Sequence, residues 1–260
     1  MTKLLNLNAD LGESFGPWKM GSDGAMLGIV KSANVACGYH AGDPTVMLKT
    51  AALARDNGVS IGAHPGFPDL QGFGRRRMDI PLDELEAMML YQIGALEACA
   101  RAQGMRVTHV KPHGALSNIA CAERKIADAI ARAVKRLDPT LILLAPAASQ
   151  LILAGREQGL PIVEEVFADR AYLDDGNLVP RSQPGAMVHG AEASLEHVMR
   201  MVEEQALISI TGKRIPVNPQ SICVHGDNAE AVATAKALRE GLEKAGYTMA
   251  TIPEIHAAAK

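Results

Sequence analysis

Short apolar stretches that end in His, Asp or Lys beside Gly or Pro recur along this sequence, and that recurrence most limits its fold. The first is Lys3-Leu4-Leu5-Asn6-Leu7-Asn8-Ala9-Asp10-Leu11-Gly12-Glu13. At the strand period of two, Leu5, Leu7 and Ala9 share one face and Asn6, Asn8 and Asp10 the other, so the carboxylates of Asp10 and Glu13 fall where the strand stops. Residues 34–40 end in His40, with Asp43 just after, and residues 59–64 end in His64. Residues 107–113 put His109, Lys111 and His113 on one face. Residues 162–168 run into Asp169 and Arg170, and residues 221–227 end in His225 and Asp227. Polar ends placed in this way are expected to converge on one site.

Helical stretches separate these strands. Leu85, Met88, Met89, Ile93, Leu96 and Cys99 repeat at three and four residue steps over 82–103, and Gly104 closes the run. Asp43-Pro44 reads as an N-cap followed by proline at the first helical position, opening a helix that Asn57-Gly58 stops. Further helices are expected near 22–27, over 123–137, from the fifth strand to 159, around 195–202, over 229–244 and from Pro253 onward, with a hairpin at 207–217. Alternation at this spacing implies parallel strands joined by right-handed crossovers. Seven main strands, polar residues at the C-terminal end of all but the fifth (141–145), and a length of 260 residues predict one seven-stranded β/α barrel domain over 1–260 and argue against an open sheet.

Composition narrows the function. A net charge of −3 and an aromatic content of 3% give no basis for nucleic-acid binding. No stretch approaches a membrane span and the chain starts directly in a strand, so a cytoplasmic protein is expected. Cys37, Cys99, Cys121 and Cys223 form no Cys-x-x-Cys pair and read as small hydrophobes. No glycine fingerprint for a dinucleotide and no Gly-x-x-x-x-Gly-Lys-Ser/Thr loop occurs.

Isolated histidines such as His189, His197 and His256 are read as structural. His40, His64, His113 and His225 at four strand ends, facing Asp10, Glu13 and Asp169, call for either metal ligation or acid and base chemistry without a metal. Lys111 in a barrel mouth needs a counter-ion, Asp10 or Asp169. The loop 64–81 carries Arg75-Arg76-Arg77, which suits an anion or a partner as well as it suits a solvated charge run, and Arg181 lies in a second Gly and Pro rich loop. Asp43 and Asn228 are explained as helix caps.

Six of these stretches together resemble the LamB/YcsF family. They are Asn8-Ala9-Asp10-Leu11-Gly12-Glu13-Ser14, Ala36-Cys37-Gly38-Tyr39-His40-Ala41-Gly42-Asp43-Pro44, Gly62-Ala63-His64-Pro65-Gly66, Lys111-Pro112-His113-Gly114-Ala115-Leu116, Phe167-Ala168-Asp169-Arg170 and Val224-His225-Gly226-Asp227. Ser117 departs from the family pattern, which has tyrosine there. The resemblance implies a barrel of the glycoside hydrolase and deacetylase type. It also implies the A subunit of the bacterial ATP-dependent 5-oxoprolinase, which opens 5-oxo-L-proline to L-glutamate with B and C subunits as partners. On that reading Asp10, Glu13, Lys111, His113, Asp169 and His225 form the catalytic set. Asp10 or Glu13 acts as base towards water, and Lys111 with a histidine stabilises the oxyanion. His40, His64, Arg75 and Arg181 form the cofactor-binding set, with ATP as co-substrate. Asp10, His40 and His64 would hold a divalent metal if one is bound. Self-association into a homo-oligomer is compatible with this reading. The alternatives to it are a stand-alone metal-dependent amidohydrolase or deacetylase, and a non-catalytic carrier or regulatory subunit.

Overall fold

In the computed structural model, which describes residues 3–226 and 229–259, seven parallel strands close on themselves. The first half of the chain gives β1 (Lys3–Leu11), α1 (Asp23–Leu27), β2 (Ser32–Ala36), α2 (Pro44–Asp56), β3 (Ser60–His64), α3 (Leu82–Ala102), β4 (Val107–Val110), α4 (Gly114–Ala122) and α5 (Arg124–Leu137). The second half gives β5 (Ile142–Pro146), α6 (Gln150–Glu157), β6 (Ile162–Phe167), α7 (Ala191–Glu204), β7 (Ala206–Ile208), β8 (Arg214–Pro216), β9 (Ser221–Val224), α8 (Ala229–Lys244), β10 (Tyr247–Met249) and α9 (Ile252–Ala258). The barrel order is β1-β2-β3-β4-β5-β6-β9, and β9 pairs back onto β1. β7 and β8 form the antiparallel hairpin expected between the last two barrel strands.

Two elements escaped the sequence pattern. β10 is only three residues long, and it pairs with Lys3–Leu5 of β1 below the point where β2 and β9 join that strand. α4 begins at Gly114, φ +54°, straight after Lys-Pro-His. Those residues signal a loop, and the nine that follow are too few to show a helical period. Asp43 caps α2 as expected, its Oδ1 accepting from the backbone N–H groups of Thr45 and Val46. The proposed cap Asn228 and the strand-end Asp227 lie outside the described residues.

Both faces of β1 are buried, but they meet different surroundings. Leu5, Leu7, Ala9 and Leu11 join the apolar shell that includes Leu96, Ile130 and Leu238 of the surrounding helices. On the inward face Asn6 and Asn8 are fully buried, so each must be hydrogen-bonded inside the barrel. Asn6 donates to Ser32 Oγ and the Ala250 carbonyl and accepts from Ser221 Oγ, while Asn8 donates to Ser221 Oγ. Asn34 donates to Asn8 Oδ1 and Asp10 Oδ1, both at 2.8 Å, and continues the chain of bonds towards the mouth. Apolar residues Ile142, Leu144 and Val163 close the other end, capped by Ile252 and Ile255 of α9. Glycine is required at position 62: a Cβ there would stand 2.2 Å from the His109 ring, which lies across the barrel interior beside it.

Candidate active site

Lys111 directly follows the end of β4, its backbone N–H donating to the Ala63 carbonyl, and its side chain runs across the mouth. It is 3% exposed, and such a cation is tolerated only with compensating charge. Its Nζ lies 3.1 Å from Asp10 Oδ1 and 2.8 Å from Glu165 Oε1, and also donates to Asn8 Oδ1. Two carboxylates therefore share one ammonium, and their environments push them apart. Burial pushes the Asp10 carboxyl up, but His64 and Lys111 beside it outweigh that and hold it well below the usual carboxylate range. Glu165 is sealed, and burial pushes its carboxyl up against the pull of Lys111. Burial alone would lower the Lys111 ammonium, yet Asp10 leads the groups that raise it well above the ordinary lysine value. Asp10, whose side chain is 18% exposed, is the carboxylate of the pair that reaches the mouth.

Beside Asp10 the ends of β1, β2, β3 and β4 gather three histidines around Glu13. His64 Nδ1 lies 2.7 Å from the Lys111 carbonyl, and His64 Nε2 lies 3.2 Å from Asp10 Oδ2 and 3.0 Å from His113 Nδ1. His113 Nε2 lies 2.8 Å from the Phe73 carbonyl. His40 stacks on His113 with ring centroids 3.6 Å apart, and its Nε2 is 3.4 Å from Glu13 Oε1. Burial lowers His40 well below the ordinary histidine value and takes His113 down to about 3. The loop 64–81 is drawn over this group at Gly74, φ +62°, where a Cβ would stand 2.7 Å from His40 Cβ and 2.9 Å from His113 Cδ2.

On the β6 and β9 side, His225 Nδ1 lies 2.9 Å from Asp169 Oδ2. Burial pushes Asp169 up, but the bond from His225 and the charges of His225 and Arg181 outweigh it and leave the carboxyl lowered. These three residues line a cavity of about 230 Å³ with Met187, His189 and Ser194. Ligand-grade atoms of Asp10, Cys223 and His225 lie within 4.8 Å of one another, so the two sides open onto one mouth.

The expected residues thus fall into two groups. Asp10, Glu13, His40, His64, Lys111 and His113 meet on one side, and Asp169, His225 and Arg181 on the other. Asp169 is not the counter-ion of Lys111, because His225 holds it; the second partner is Glu165. Glu165 was legible in Ile162-Val163-Glu164-Glu165-Val166-Phe167, since two adjacent glutamates in a buried strand must point to opposite faces. Glu164 turns outward to Arg156 and Glu165 turns inward. Of the cofactor-binding set, His40 and His64 are each 1% exposed, whereas Arg75 and Arg181 reach solvent. Arg76 and Arg77 are tied to Asp69 and Glu123, and Arg75 lies over the Phe73 ring. Of the expected metal set, His64 Nε2 lies beside Asp10 Oδ2, and candidate ligand atoms of His40 and His64 also gather with Glu13 and His113, those of Asp10 with Cys223 and His225. His197 Nε2 lies 3.0 Å from the Arg170 carbonyl. Among the described residues, no helix is long and apolar enough to cross a membrane.

Comparison with known proteins agrees with this arrangement of motifs. The chain is 52% identical over 249 residues to the second 5-oxoprolinase A subunit of Bradyrhizobium diazoefficiens, covering 95% of this chain and 97% of that protein. It is 53% identical over 247 residues to the 5-oxoprolinase A subunit of Rhodopseudomonas palustris, with the same coverage. The crystal structure of a lactam utilization protein from Thermus thermophilus superposes with a TM-score of 0.90 at 44% identity, covering 96% of this chain and all of that one. Peptidoglycan deacetylase PdaC from Bacillus subtilis shares the fold alone, with a TM-score of 0.51 at 11% identity over 99% of this chain and 92% of that one. The LamB/YcsF family pattern matches residues 5–257, and the chain belongs to the LamB/YcsF family.

Proposed function

We propose that this chain is the A subunit of an ATP-dependent 5-oxoprolinase, which opens the lactam of 5-oxo-L-proline to L-glutamate with B and C subunits as partners. The observation that carries the reading is the name shared by relatives about half identical along almost the whole chain. The site chemistry suits it. A five-membered lactam is a poor electrophile, and transfer of the ATP γ-phosphoryl group to its oxygen makes the carbon attackable and drives ring opening. Water then adds to that carbon and gives its proton to Asp10, which is ionised throughout the neutral range and reaches the mouth. Lys111 steadies the negative charge that develops beside it. As the carbon–nitrogen bond breaks, the added hydroxyl releases its remaining proton to solvent and becomes the acyl carbonyl, and the leaving lactam nitrogen takes a proton from His225 Nε2, the imidazole nitrogen opposite the one paired with Asp169. The acyl phosphate left behind is hydrolysed by a second water, giving glutamate and phosphate. Arg75 and Arg181 supply positive charge for the substrate carboxylate and for phosphate.

The test is a coupled assay of ADP and glutamate release from 5-oxoproline and ATP, run on the purified chain with and without its B and C partners. Activity that needs both ATP and the partners is the expected result. Hydrolysis of simple amides or N-acetyl groups by the isolated chain, without ATP, would instead mark a stand-alone amidohydrolase.

A further inference from the structure

We infer that Glu13, His40, His64 and His113 form a four-ligand site for a divalent cation of the zinc type. The inference rests on these side chains and holds whatever amide the barrel opens. Backbone carbonyls only accept hydrogen bonds, so each of two carbonyls fixes where a ring proton sits. The Lys111 carbonyl, 2.7 Å from His64 Nδ1, puts the proton on that nitrogen and leaves a lone pair on Nε2. The Phe73 carbonyl, 2.8 Å from His113 Nε2, does the same there and leaves the lone pair of His113 on Nδ1. In the neutral rings those two lone pairs face each other at 3.0 Å, and the Asp10 Oδ2 acceptor stands 3.2 Å from the same His64 Nε2. Acceptors so placed repel unless something positive lies between them.

The remaining two donors complete a shell. Glu13 Oε1 lies 3.9 Å from His113 Nδ1 and 3.4 Å from His40 Nε2, and one ligand atom from each of the four residues falls within 4.8 Å of every other. A tetrahedral ion with bonds of roughly 2.0–2.1 Å separates its ligand atoms by about 3.4 Å, inside that spread. Three imidazoles and one carboxylate are the donor set that zinc-like ions prefer over magnesium or calcium. His40 is 1% exposed, its Nδ1 has no hydrogen-bond partner, and its Nε2 already lies on the side of Glu13 Oε1. The bonds that would orient the other two rings as ligands are already in place, since each of His64 and His113 donates its far N–H to a carbonyl. Glycines at 66 and 74 leave the backbone close against His40, with a Cβ at Gly66 only 2.8 Å from its Nδ1.

The competing arrangement is a hydrogen on His64 Nε2 donated to Asp10 Oδ2 and His113 Nδ1, which needs no cation in the gap. Cobalt(II) separates the two. Full-length chain stripped with chelator and titrated with CoCl2 is expected to bind one ion per chain and to develop the intense visible absorption of a four-coordinate site, which ZnCl2 then bleaches. Glu13→Gln, which keeps the size of the side chain and removes its charge, is expected to weaken cobalt binding at least tenfold and to lose the melting-temperature rise that cobalt gives the parent. Asp10→Asn, which removes a carboxylate beside the ion and not one of its four ligands, is expected to weaken cobalt binding less than Glu13→Gln does and to keep the four-coordinate band. Absence of saturable binding in the parent overturns the inference, and so does Asp10→Asn abolishing the band while Glu13→Gln keeps it. Neither outcome touches the lactam reading, which the partner-dependent assay decides.

Discussion

The two sides of the barrel mouth differ in how completely they are sealed. At the ends of β1 to β4, His40, His64 and His113 are buried and two of them are tied to backbone carbonyls. At the ends of β6 and β9, His225 and Asp169 have side chains 22% and 24% exposed and open onto a cavity beside the exposed Arg181. A sealed set of fixed tautomers suits a task that needs unchanging geometry, such as holding charge next to the reacting carbon. A half-open pair beside a solvated cation suits taking in and releasing a substrate. Lys111 joins the sides, since it leaves from β4 and its ammonium meets Asp10 on β1 and Glu165 on β6.

The largest effect is expected from removing that link. Lys111→Met leaves the buried Glu165 and the partly buried Asp10 without their shared cation, and breaking a buried pair in this way costs about 3–5 kcal/mol. Urea denaturation measures the loss. Adding Glu165→Gln to the same chain should return part of it, because one uncompensated charge is then gone. A double variant no more stable than Lys111→Met would show that Glu165 does not balance the lysine, and the two sides would then be independent.

Next in size is Asp10→Asn, which keeps shape and hydrogen bonding but removes the basic site. Turnover with the partner subunits present should fall ~100-fold or more, with little change in KM. The low pKa of Asp10 adds a pH signature: its carboxyl stays ionised to well below pH 4, so the parent should show no acid limb from this group between pH 5 and 7. On the open side, Arg181→Gln removes one charge-assisted contact and should raise KM for 5-oxoproline roughly tenfold with kcat nearly unchanged. Equal losses of kcat in both variants would erase the division of labour between the sides.

How much of this was legible in the sequence follows from the same contrast. Period-two patterning with polar strand ends was enough for the barrel and for the residues at its mouth, because a one-residue slip would turn Asn6, Asn8 and Asp10 into the apolar shell. Lys111 was recognisable as a cation needing a partner. Which carboxylate answers it was not, because Asp10, Glu165 and Asp169 are spread over more than 150 residues of sequence and only strand order decides which faces Lys111. The grouping of Glu13 with the histidines was hidden for a similar reason. No local ligand motif links them, and the tautomers depend on the carbonyls of Lys111 and Phe73, which a sequence pattern does not reveal. β10 and α4 were lost to their brevity.

The smallest effect is a slope, and it tests the sealed interior directly beneath the mouth. His109 is fully buried, with Nε2 3.1 Å from Asn34 Oδ1 and Nδ1 2.9 Å from Thr108 Oγ1. Lys111 and His64 are the charged or titratable groups that act on it, and burial, ahead of both, takes its pKa down to about 3. In the unfolded chain the ring titrates near its ordinary value of about 6.5. Between those two values the unfolded chain binds a proton that the folded one refuses, so this ring's contribution is complete above about pH 6.5 and is lost as pH falls towards 3. One such proton amounts to about 1.4 kcal/mol per pH unit. His109→Gln keeps a side-chain donor and acceptor but does not titrate. Its stability, followed by urea denaturation in steps from pH 7.5 to 5, should therefore fall with acid less steeply than the parent's, by up to that amount per unit below pH 6. Parallel curves for the two proteins would mean that the folded parent protonates His109 as readily as the unfolded chain does. The interior below Asp10 would then be as open to water and protons as the Arg181 side, and the contrast between the two halves of the mouth would rest on the outer histidines alone.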